Sequence, residues 1–241
     1  MAESRRTVFS ELFKADIGFE EPVFTRKERT VFPAVCCVIV FISGIFSVTT
    51  LGAAPSDNGV KGKISAAKAE KELPGRERLY RELGAIQSDE AVVFLSRAAI
   101  SEPEPGGRTS AITALRKTGG RSALNGILAA LKVEKHKGVR IQAVNSLGFF
   151  NDPKALERLR DIVGTDLDRD MRIAAYMALS RLGDAETLSK DFDLEKDPGA
   201  KLGILDALSR TEDGENKLRG IKERSGDKAV KARIDLHMKK K

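Results

Sequence analysis

Six segments of this chain share one register, and that repetition constrains the fold more than any single stretch. Each opens with a basic residue, followed three residues later by an apolar or Ala residue and seven later by Leu or Met. They start at Arg76 (with Leu79 and Leu83), Arg108 (Ala111, Leu115), Arg140 (Ala143, Leu147), Arg172 (Ala175, Leu179), Lys201 (Ile204, Leu208) and Lys231 (Ile234, Met238). A step of three and then four residues returns to one side of an α-helix, so each segment reads as the seam of an amphipathic helix. The starts differ by 32, 32, 32, 29 and 30 residues, a period typical of helical-repeat architectures.

Each first helix ends at a breaking signal: Thr118-Gly119-Gly120, Asn151-Asp152-Pro153, Gly183-Asp184 and Glu212-Asp213-Gly214. Asp152 followed by Pro153 reads as an N-cap with proline at the first helical position. Second helices are expected over 90–100, 122–133, 154–163, 185–192 and 215–223. Two helices per repeat with short connections predict an all-α fold, a right-handed α-solenoid of five to six helical hairpins, whose stacking buries apolar faces that one repeat cannot bury alone. The aromatic content, about 5%, argues against a large sheet built on aromatic cross-strand pairs.

Four residues before each basic start stand Glu72, Glu104, His136, Asp168, Asp197 and Asp227, acidic in five of six. Acids at helix entrances favour the positive end of the helix dipole and can pair with a base one turn later or in the next repeat. The expectation is a structural ladder, each rung worth about 0.3–0.5 kcal/mol if exposed.

Residues 136–163 (HKGVRIQAVNSLGFFNDPKALERLRDIV) and 167–188 (LDRDMRIAAYMALSRLGDAETL) resemble HEAT repeats, in particular the short HEAT-like type of phycobilisome lyases. The shared features are the acid, V/M-R, A-x-x-x-L, and an N/G-D break before a second amphipathic helix. The resemblance covers about 72–241 and is strongest in the middle two repeats. It implies a protein-binding scaffold; a minority of such proteins act as bilin lyases or chaperones, and related all-helical repeats line up DNA.

Residues 31–54 (VFPAVCCVIVFISGIFSVTTLGAA) carry no charge. Twenty-four helical residues would span about 36 Å, enough for a hydrocarbon core of about 30 Å. The chain is therefore divided into an N-terminal tail (1–29), a transmembrane helix (30–54), a polar tether (55–72) and a repeat domain (73–241). Thr50-Leu51-Gly52 before Ala53 would suit signal cleavage, but the long, mixed-charge leader favours an uncleaved anchor. Arg26, Lys27 and Arg29 abut the N-terminal end and Lys14 adds a fourth on that side, a count that Lys61, Lys63, Lys68 and Lys71 match on the other. The expected topology is single-pass, N-terminus cytoplasmic and repeats outside, in the periplasm if the source is bacterial. Both cysteines, Cys36 and Cys37, lie in this segment, as apolar membrane residues or as acylation sites. Ahead of it, Val8, Phe9, Leu12, Phe13 and Ile17 form a short apolar stripe that needs a bilayer interface or a protein groove to lie on.

The repeats offer little sign of chemistry. His136 and His237 are 101 residues apart with no second ligand at helical spacing, and neither a nucleophile elbow nor a phosphate loop occurs. Asp166, Asp168 and Asp170 suggest a calcium loop, but Met171 stands where that loop needs Gly and Met177 where it needs Glu. No catalytic residue, cofactor or metal is expected. The net charge of +7 comes mostly from residues 196–241, with thirteen basic and eight acidic groups. Aromatics for base stacking are absent after Phe192, so nucleic acid is not the expected partner. The expected partner surface is the second-helix face, with Arg97, Asn125, Lys132, Arg158, Arg160, Lys190 and Lys217, together with Phe9, Leu12 and Phe13 of the tail. The expected function is a non-enzymatic, membrane-anchored adaptor. A bilin-lyase-like enzyme or cofactor chaperone, and a surface protein for lipid or nucleic-acid phosphates, are the alternatives.

Overall fold

The computed structural model describes Cys37–Ile39, Val48–Thr50 and residues 57–239. The chain divides into two units, Met1–Ala54 and Pro55–Lys241. In the first, β1 (Cys37–Ile39) and β2 (Val48–Thr50) pair antiparallel, with Val38 opposite Thr49. These six residues lie inside the expected transmembrane helix and do not form one. Five of the six, Val38, Ile39, Val48, Thr49 and Thr50, are β-branched, and such residues favour extended backbone. The rest of 31–54 and the stripe of Phe9, Leu12 and Phe13 lie outside the described residues. Among the described residues no helix is long and apolar enough to cross a membrane.

The second unit contains twelve helices among its described residues. After α1 (Asp57–Ala69) come five hairpins: α2 (Leu73–Leu83) with α3 (Asp89–Ser101), α4 (Pro105–Thr118) with α5 (Gly120–Val133), α6 (Lys137–Leu147) with α7 (Pro153–Thr165), α8 (Arg169–Arg181) with α9 (Ala185–Leu194), and α10 (Pro198–Leu208) with α11 (Gly214–Arg224). The last helix, α12 (Lys228–Met238), closes the chain. The first helices α2, α4, α6, α8, α10 and α12 pack each on the next as one layer, and each second helix packs on the first helix of the following hairpin. This is a solenoid of helical hairpins. Its core is the expected seam: Leu83, Leu115, Leu147, Leu179 and Leu208 are all fully buried.

The stretch expected as a tether belongs to this stack. Val60, Ile64 and Ala67 of α1, spaced four and three apart, are buried, and α1 packs on α2 and α3 as a second helix does elsewhere. Its seam is diluted by glycine, serine and lysine, which hid it among polar residues.

Caps set the register. Asp152 accepts from the Lys154 N–H at 2.9 Å, with Pro153 opening α7 as expected. Asp168, Asp184, Asp197 and Asp227 cap α8, α9, α10 and α12 in the same way. Gly148, after α6, is set by a different constraint. A Cβ there would sit 2.7 Å from Ala178 Cα and 2.9 Å from Ala178 Cβ, so α6 ends against the backbone of α8. Gly84 meets Ala114 of α4 identically two repeats earlier, at 2.7 Å. Gly148→Ala should therefore cost about 1–3 kcal/mol of stability, as overpacking does. Urea unfolding checks this, and a loss under about 0.5 kcal/mol would mean that the layer yields freely.

Candidate binding surface

The chemistry of the repeats concentrates along one edge, at the first turn of each first helix. Arg76, Arg108, Arg140 and Arg172 reach forward to the acid that ends the next second helix: Glu102, Glu134, Asp166 and Glu195. Arg172 Nε and Nη2 donate to Glu195 Oε2 and Oε1 at 2.8 and 3.0 Å, a two-pronged contact repeated by Arg108 on Glu134 at 2.6 and 3.1 Å. Three of them, Arg76, Arg108 and Arg172, also reach backward with Nη1. Arg76 donates to the carbonyl of Lys71, Arg108 to the carbonyls of Glu102 and Pro103, and Arg172 to those of Asp166 and Leu167. Each of these three binds the loop before its helix to the loop after its hairpin, whereas Arg140 makes the forward contact alone.

The acids are held from the other side by backbone. Glu195 accepts the N–H groups of Lys196 and Asp197, each at 2.9 Å, and the Tyr176 hydroxyl at 3.1 Å. Tyr80 donates to Glu102 at 2.7 Å in the equivalent place. Glu195 is buried, which alone would raise its pKa. The Arg172 hydrogen bond, the Asp197 N–H and the Tyr176 hydroxyl outweigh burial and bring it down to about 2. Glu102 and Glu134 are also held below the ordinary carboxylate value, against burial, by Tyr80 with Arg76 and by Arg108 respectively.

The ladder anticipated from the sequence exists, but its acids stand two residues earlier than expected. Asp168, Asp197 and Asp227 serve mainly as helix caps, and Glu134, not His136, completes the third repeat. Only Glu104, which meets Arg76 at 3.1 Å, and Asp168, which meets Lys137 at 2.9 Å, also join cross-repeat pairs as expected. The sequence signal was present as E/D-x-E/H/D before five of the six first helices, with Ser225 in place of the leading acid before the sixth. Backbone geometry chooses the first, because it follows the second helix directly and faces the preceding arginine.

The residues expected to meet a partner divide into two groups. Arg97, Asn125 and Lys132 on α3 and α5 are exposed. Arg158 is paired with Asp161, Arg160 donates to Asp184 at 2.8 Å and Thr187 at 3.1 Å, Lys190 meets Glu186 at 3.4 Å, and Lys217 meets Glu186 at 2.6 Å. Arg160 and Lys217 tie helices together, while Arg158 and Lys190 pair within their own helices. Arg160 in particular serves the α9 cap, since Asp184 is almost wholly buried. In the last repeats Arg219 pairs with Glu215, Lys222 with Asp235, Arg224 with Asp193 and Arg233 with Asp206.

Two features went unread in the sequence. One is a row of exposed apolar side chains at the ends of second helices: Ile100 (45% exposed), Val133 (56%), Leu194 (74%) and, just past α7, Leu167 (97%). They neighbour the ladder acids in sequence, and only the folded register aligns them. The other is a cavity of about 550 Å³ between α1 and α3 over α2, lined by Lys68, Arg76, Tyr80, Phe94, Arg97 and Glu102 among others. A second, of about 430 Å³, sits at the equivalent place between α7 and α9, and Asp191 lines it with a buried carboxylate oxygen that has no hydrogen-bond partner. Among the described residues no cluster of His, Cys, Asp and Glu could hold a metal ion.

Comparison with known proteins agrees with this architecture. The family model for HEAT repeats matches residues 124–190. Among solved structures, the chain is similar to the complex of CpcE and CpcF of phycocyanin lyase from Nostoc sp. PCC7120. The match has 18% sequence identity, a TM-score of 0.50, and covers 77% of this chain and 79% of that one. At that identity the likeness concerns the fold. A search of curated proteins found no match to the sequence.

Proposed function

We propose that this chain is a non-enzymatic adaptor that holds a protein partner against the exposed ends of its second helices, with residues 31–54 attaching it to a membrane. The observation that carries the reading is the row of Ile100, Val133, Leu167 and Leu194. Large apolar side chains left in water at one place in successive repeats mark a surface that another molecule covers. Arg97 and Lys132, charged and exposed on α3 and α5, supply a polar rim. HEAT repeats generally mediate protein interactions, and the similar solved structure is itself a complex of two proteins.

The test is co-purification of partners with the tagged full chain from its own source, comparing Val133→Ser/Leu194→Ser with the parent. Partner recovery is expected to fall at least about tenfold, as for loss of buried apolar anchors, with an unchanged melting temperature. Equal recovery from a folded variant would remove this surface from the function. Protease treatment of a C-terminal tag in intact and permeabilised cells tests the topology: digestion in intact cells supports repeats outside the cytoplasm, and protection until permeabilisation reverses that orientation.

The bilin-lyase-like reading draws on the two cavities, whose volumes fall in the range of small-molecule sites. Incubation with a free bilin followed by gel filtration decides it. A coloured protein peak favours a chromophore chaperone, and a colourless one leaves the adaptor reading.

A further inference from the structure

The opposite edge of the stack carries a second, independent arrangement. Nine residues after the base that opens α4, α6, α8 and α10 come Lys117, Phe149, Arg181 and Arg210. Nine residues of helix advance about 13 Å, so these positions gather where the first helices end, away from the ladder. Arg116, one residue before Lys117, joins them. Its guanidinium carbon lies 4.5 Å from the centre of the Phe149 ring and that of Arg181 lies 5.0 Å from it. Phe149 is itself 54% exposed.

Unlike the arginines of the ladder, these arginines are unmatched. Among the described residues, Arg116, Arg181 and Arg210 have neither an ion pair nor a side-chain hydrogen bond. Burial, then repulsion from Arg210 and from Arg116, holds the pKa of Arg181 below the usual arginine value, so Arg181 sits within reach of both other charges. Like charges brought together without a counter-ion oppose folding, and an anion placed among them relieves that cost. Phe149 acts as a post that holds two guanidiniums in place through cation–π contact.

We propose that this edge captures an acidic segment of a protein partner, its carboxylates lying against Arg116, Arg181 and Arg210. This inference uses different residues from the second-helix surface and does not rest on it. Guanidinium and carboxylate match as two-pronged hydrogen-bonding pairs. Adjacent packed helices lie about 9 Å apart and an extended chain advances about 3.3 Å per residue, so an acid at every third position would meet successive repeats. Nucleic acid fits less well. A polyanion gains affinity from many phosphates, whereas Arg219, Lys222, Arg224 and Arg233 of the last repeats are already paired with Glu215, Asp235, Asp193 and Asp206. The Phe149 ring, moreover, is taken by guanidiniums and not offered to a base.

The experiment is fluorescence anisotropy of the full chain with a short labelled peptide carrying Glu at every third position. The same peptide with Gln and a single-stranded oligonucleotide of equal length serve as comparisons. The Glu peptide should bind, the Gln peptide should bind at least about tenfold more weakly, and each of Arg116→Gln, Arg181→Gln and Arg210→Gln should cost about tenfold, the scale of a charged hydrogen bond. Arg210 is exposed, so its variant keeps the test valid if another fails to fold. Equal binding of Glu and Gln peptides, unchanged affinity in all three variants, or tighter binding of the oligonucleotide than of the Glu peptide overturns the proposal.

Discussion

Replacing Arg172 with alanine is expected to lower the unfolding free energy of the repeat unit by about 3–5 kcal/mol, the range for removing one partner of a buried ion pair. The arginine side chain is 16% exposed and that of Glu195 only 4%, so the orphaned carboxylate stays out of water. The carbonyls of Asp166 and Leu167 lose their donor as well. Replacing both partners, Arg172→Met with Glu195→Leu, should cost far less than Arg172→Ala, because no buried charge is then left unmatched. Urea unfolding of the two single variants and the double variant measures this. A loss below about 1 kcal/mol for Arg172→Ala would place the contact among ordinary surface pairs.

Acid should weaken the same rung. The pKa of Glu195 is about 2 in the folded chain against 4.5 for the free side chain. A depressed carboxylate contributes stability that is fully present above the higher value and lost as pH falls through the lower one. Between pH 6 and pH 3 this single group should withdraw about 2 kcal/mol, and about 3 kcal/mol once pH falls below 2. Glu102 and Glu134 act in the same direction. Asp191 acts oppositely: burial, then Asp184 and Glu195, raise its pKa, so it costs stability as pH rises through that elevated value. Comparing the urea midpoints of the parent and Glu195→Gln at pH 6 and pH 3 isolates the effect. Equal pH dependence in both would show that Glu195 is not ionised in the way the geometry requires.

The hairpins were legible because their signals are local. Seam spacing, glycine breaks and Asp152-Pro153 each report on a few neighbouring residues, and the second helices fall within a few positions of where they were expected. The ladder was legible as a regularity but not in its pairing, since Asp166 and Asp168 differ only in which one the backbone turns toward Arg140. The expected partner residues suffered from a more general limit. A lysine or arginine on a helix face looks the same in sequence whether water or an acid from the next repeat surrounds it, and Arg160 and Lys217 prove to be the latter. Phe149 drew no notice, because a pair of phenylalanines after a glycine gives no hint that arginines from two other helices converge on the first of them.

The forward and backward grip of Arg76, Arg108 and Arg172 also has a mechanical consequence. Loops joined end to end along one edge act as links in series, stiff against stretching on that side and compliant on the other, so the stack should flex by opening at the ends of the first helices. The series stops at Lys201, whose ammonium lies over the Phe192 ring at 5.1 Å and whose forward position is occupied by Ser225 in place of an acid. Pulled from its two ends, the solenoid should yield first beyond that missing link, with α12 and α11 peeling away before the rungs at Arg76, Arg108 and Arg172 take up the load.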